Sequence, residues 1–137
     1  MKNFVFKTFA FTFLLFGLCA CVHSDNPERN KAYDDMMAIH DEVMPEMGTI
    51  HKLEKKLKAK IENTSNKDSI VILKATLKSL SASGEGMMDW MHNLDVPNKK
   101  VPDTDAIDYM NAEKEKISKV SVQMKESIAA SKAILGE

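Results

Sequence analysis

Cysteine is nearly absent. The 137 residues hold two, Cys19 and Cys21, both at the end of an N-terminal apolar segment. No disulfide can staple the body of the chain, so its stability must come from packing. Glycine and proline are scarce, with five and four, and aromatics make up 7%. What remains is rich in Met, Lys, Glu, Ala, Leu and Ile, a helical composition. No apolar run is long enough to cross a bilayer, since Phe9 to Leu18 spans about ten residues. Neither sign of charge dominates. The formal charge of −1 gives no electrostatic case for nucleic acid. Catalytic signatures are missing too: no His-Glu-x-x-His, no Gly-rich phosphate loop, no Gly-x-Ser-x-Gly and no Cys-x-x-Cys-His. His40-Asp41-Glu42 matches half of a zinc deaminase pattern, without the partner cysteines. The chain reads as a non-enzyme.

The first twenty residues read as a secretory signal. Lys2 and Lys7 supply the positive start, and Phe9–Leu18 the short apolar core. Leu18-Cys19-Ala20-Cys21 resembles a bacterial lipobox, the pattern read by the lipoprotein signal peptidase. The resemblance implies cleavage before Cys21 and lipid on its thiol. Each buried methylene of such an anchor contributes about 0.8 kcal/mol, so two or three chains hold permanently. Val22 stands where the resemblance would place an inner-membrane retention Asp, which leans the expectation toward the outer membrane. The expected organisation is a signal peptide at 1–20, a lipidated Cys21 and polar tether at 21–29, and one domain at 30–137. Losing Lys2 and Lys7 takes the formal charge from −1 to −3.

Apolar positions recur at steps of three and four through the rest. Tyr33, Met36, His40, Val43, Met47, Ile50, Leu57 and Ile61 mark a first helix, with Glu54 a polar interruption and Pro45 a kink or a split. A lysine cluster, Lys52 to Lys60, sits near its C-terminal end. Ile70, Leu73, Leu77, Leu80, Gly84, Met87, Met91 and Leu94 mark a second, from about Lys67 to Asn93, after a capping stretch at 63–66. Pro97 and Pro102 define a loop, and Asp103 or Thr104 is expected to cap a third helix. Its stripe is Ile107, Met110, Ile117, Val120, Met124, Ile128 and Leu135. Short connections make neighbours antiparallel. The predicted fold is all-α, an up-down-up bundle of three long helices. Gly84, on the core stripe, is expected to serve close packing.

One constellation could carry chemistry. His40, Met44, Met47 and His51 share a helical face, and Met87, Met88, Met91 and His92 cluster near the end of the second helix. Folding the hairpin places position 40 opposite about position 89, with Met110 expected at the same level and Trp90 on the flank. Thioethers with imidazole suit Cu(I), and Met with His can hold haem iron. The candidate metal ligands are His40, Met44, Met88, Met91 and His92. A Met stripe is also an ordinary core filler, in which case there is no cofactor.

His40–Gly48 and Met87–His92 are similar to segments of small helical lipoproteins of Bacteroidetes-type bacteria, a resemblance that implies no activity. The expected role is a membrane-anchored envelope protein acting as a structural or interaction module. Its partners would be the bilayer, through Cys21, and an envelope protein, with leftover apolar surface leaving it able to oligomerise. The alternative is a Cu(I)-binding or haem-binding bundle.

Overall fold

The computed structural model describes residues 25–137; the signal segment and Cys21 lie outside the described residues. Four helices form. α1 spans Pro27–Val43, one 3₁₀ turn Met44–Glu46 joins it to α2 at Met47–Glu62, α3 runs Lys67–Asn93 and α4 Asp103–Leu135. α1 and α2 together make one bent arm, so the architecture is the expected antiparallel bundle of three long helices. Asn26 caps α1, its side chain accepting from the Glu28 and Arg29 amides, and Asn66 caps α3 by accepting from Ser69 N–H. Gly136 ends α4 in the left-handed conformation at φ 82°, where glycine carries no Cβ penalty.

The core follows the three-four stripes. Met36, Val43, Ile50 and Leu57 from the bent arm, Leu73, Leu80 and Met87 from α3, and Ile117 and Met124 from α4 are all buried. Val43 and Ile50 stay in phase across Pro45, because the break is absorbed in one tightened turn. There the Met47 amide reaches back to Met44 and Pro45. Leu53, not the interrupting Glu54, fills the inward place between Ile50 and Leu57. Beyond Ile117 the buried polar positions of α4 are small: Ser121, Ser127 and Ser131. Ser127 meets Ser83 of α3 hydroxyl to hydroxyl at 2.8 Å, and such small contacts let two helices approach closely. Gly84 is buried as packing predicts. A Cβ there would touch the Ile50 and Met47 side chains at 3.5 Å, so side chains and not a backbone lie against it.

The N-terminal end departs from the sequence expectation. Pro27–Arg29 are helical, and Arg29 is buried instead of belonging to a tether. Its guanidinium donates to the backbone carbonyls of Pro97, Asn98 and Val101 and to Asp103 Oδ1, at 2.7 to 3.0 Å. This clamp draws the α3–α4 loop down beside the first turn of α1. Asp103 therefore faces Arg29 and Asn26 and does not cap α4, whose N-cap is Pro102 without a side-chain bond. The same descent places Met110 near Ala32 and Ala106, in a small second cluster, and not at the level of His40.

Candidate functional site

The α1 and α3 backbones stay further apart than those of α1 and α4 or α3 and α4. Long side chains fill the space. Met36 and His40 come from α1, Met44 from the 3₁₀ turn, and Met87, Trp90 and Met91 from α3. Met36 and Met87 are fully buried, and Trp90 is 7% exposed, so the indole belongs to the core and not to its flank. Its Nε1 is buried without a hydrogen-bond partner. An unpaired buried donor of this kind costs about 1–3 kcal/mol.

His40 lies beside this indole, its ring centroid 5.9 Å from that of Trp90 and the planes tilted by 33°. Nε2 stands 3.3 Å from Met91 Sδ, and Nδ1 stands 2.9 Å from Asp41 Oδ1. Two of the five candidate metal ligands thus touch, close to the predicted pairing of position 40 with about 89. Met44 is half-buried against the core one turn beyond His40. Met88 and His92 face outward. Met88 is 49% exposed and lines a groove between α2 and α3 with Met47, His51 and Asp89. His51 is exposed and lies 3.5 Å from Glu54. Among the described residues no three His, Cys, Asp or Glu side chains gather as a hard-metal site.

Charge is segregated along the rod. The chain divides near Met47 on the bent arm, Met87 on α3 and Ser121 on α4. Residues 47–86 and 122–137, on the side of the α2–α3 turn, carry ten lysines and six carboxylates. Residues 25–46 and 87–121, on the side of Asn26, carry seven basic side chains and fourteen acidic ones. One end is therefore +4 and the other −7. Some of these charges are paired locally. Lys31 and Lys114 both bond Asp35, and their hydrogen bonds, Lys31's first, hold its carboxyl below the usual carboxylate range. Arg29 and then Asn26 do the same to Asp103. Glu113, buried, pairs with Lys116 and raises the lysine above its ordinary value. At the other end Lys56 meets Glu137 and Lys60 donates to the Ile134 carbonyl. Lys52, Lys55, Lys58, Lys74 and Lys78 are exposed.

No protein-family model, no curated protein and no solved structure matches this chain.

Proposed function

We propose that this is a lipid-anchored envelope protein whose helical rod presents a basic tip to an acidic protein surface. The observation that carries the reading is the placement of charge relative to the Cys21 end. The five residues between Cys21 and Pro27 reach at most about 17 Å, so an anchor on that thiol keeps the α1 N-terminus near the bilayer. The 33 residues of α4 make a rod of about 50 Å. The acidic half then faces the membrane, where anionic headgroups repel it, and the basic half points away. No helix of the described residues is long and apolar enough to cross a membrane, which leaves Cys21 as the attachment this reading needs. Opposite charge on a partner would speed encounter and set orientation.

Charge reversal tests the tip. Lys55→Glu, Lys58→Glu and Lys74→Glu together should abolish cross-links between this protein and neighbours in intact envelopes. Lys99→Glu with Lys100→Glu, at the other end, should leave them unchanged. Equal loss from both sets would refute a tip-directed partner.

A further inference from the structure

With a singly protonated ring, the contacts of His40 with Asp41 and Met91 do not balance as a hydrogen-bond chain. The Asp41 carboxylate only accepts, so its partner, His40 Nδ1, must carry the proton. In the neutral ring Nε2 then presents a lone pair, and at 3.3 Å it faces Met91 Sδ, a thioether with no proton to give. Two electron-pair donors are pointed at each other. A soft cation between them resolves this, and so does a second ring proton.

The geometry favours the cation in three respects. Bonds to nitrogen and sulfur of about 2.0–2.1 and 2.3 Å, as for a tetrahedral d¹⁰ ion, put two adjacent ligands roughly 3.5 Å apart. The observed separation is within a few tenths of an ångström of that, a shift that the three rotatable bonds of Met91 supply easily. Asp41 on Nδ1 is the arrangement that fixes the tautomer and orientation of a metal-bound imidazole. Further thioethers are one turn away, since Met37 and Met44 stand three residues before and four after His40 and both are half-buried. Thioether with imidazole is a soft donor set, unsuited to Mg²⁺ or Ca²⁺.

We infer that His40 Nε2 and Met91 Sδ are the fixed pair of a Cu(I)-type site closed by the thioether of Met37 or Met44, with the Trp90 indole beside the ion. The site excludes Met88 and His92, which face outward. It does not depend on the anchor or the tip, so its failure would leave the proposed function standing.

Trp90 is the single tryptophan of the chain, so its fluorescence reports the site directly. The probe is Ag(I), a redox-inert stand-in of the same charge and softness. The protein is the full chain in detergent with Cys19→Ser and Cys21→Ser, which removes competing thiols. One equivalent of Ag(I) should quench or shift Trp90 emission, while the same concentration of Zn(II) should not. Met91→Leu conserves volume; it and His40→Gln should each weaken the response at least tenfold, with helical circular dichroism retained. Met88→Leu with His92→Gln should leave it unchanged. An emission indifferent to Ag(I) would mean that the pair is an ordinary imidazole–thioether contact, and would overturn the site. A response that survives Met91→Leu would overturn it as well.

Discussion

Arg29 donates four hydrogen bonds, three of them to backbone carbonyls of a loop some seventy residues away in sequence. Its side chain is only 8% exposed, so its donors depend on those acceptors. Arg29→Met keeps the length and apolar stem and removes every donor. It should cost about 2 kcal/mol in urea titration, from the loss of those hydrogen bonds. The same variant should change the acid limb of the stability curve. Folding holds the Asp103 proton less tightly than the unfolded chain does, because Arg29 and Asn26 bond the carboxylate. The clamp therefore adds stability above the ordinary carboxylate range, and loses it as pH falls through the depressed folded value. With Arg29 gone, stability should depend less on pH in that window. Nothing in the sequence marks this residue. A lone Arg two places after a proline in a polar stretch reads as tether, and its partners are carbonyls, which every residue carries. The same invisibility explains Met110. Its level depends on how far the loop descends, and Arg29 sets that depth.

At the scale of the helix, periodicity was a sufficient guide wherever one face alone is apolar. Met36, Val43, Ile50 and Leu57 lie 3.6-periodically on the bent arm, and all four are buried on either side of the 3₁₀ turn. Where several large residues are adjacent, spacing could not choose among them. In Met87-Met88-Asp89-Trp90-Met91-His92 each step turns the helix by about 100°, and the inward places go to Met87 and Trp90. Met88 and His92, named with Met91 as candidate ligands, are thereby carried away from His40. Gly86 gives a direct test of what α3 tolerates. A Cβ there would meet only Val120 Cγ2, at 3.9 Å, an ordinary contact. Gly86→Ala should therefore gain the full helix-propensity difference of about 1 kcal/mol and raise the melting temperature by roughly 4 °C. A fall would show that α3 needs local flexibility beside the His40 cluster.

Across the whole molecule the feature on which the proposed function rests is polarity. Surface ion pairs such as Lys125–Glu42 and Lys114–Asp35 tie α4 to α1, but exposed pairs contribute about 0–1 kcal/mol each and do not account for the separation of sign. Charge segregated by end adds little to the stability of a bundle whose core is already closed. It does give the rod a direction, and a direction matters when one end is fixed. The acidic half gathers around the N-terminus of α1, the only end that a lipid on Cys21 could hold. The account therefore stands on the anchor, and mass spectrometry of the mature N-terminus from isolated membranes tests it most directly. The expected result is a chain beginning at Cys21 with a diacylglyceryl or triacyl modification, and Cys21→Ser should abolish the modification and release the protein from the membrane. An unmodified Cys21, or a chain that begins elsewhere, would contradict it.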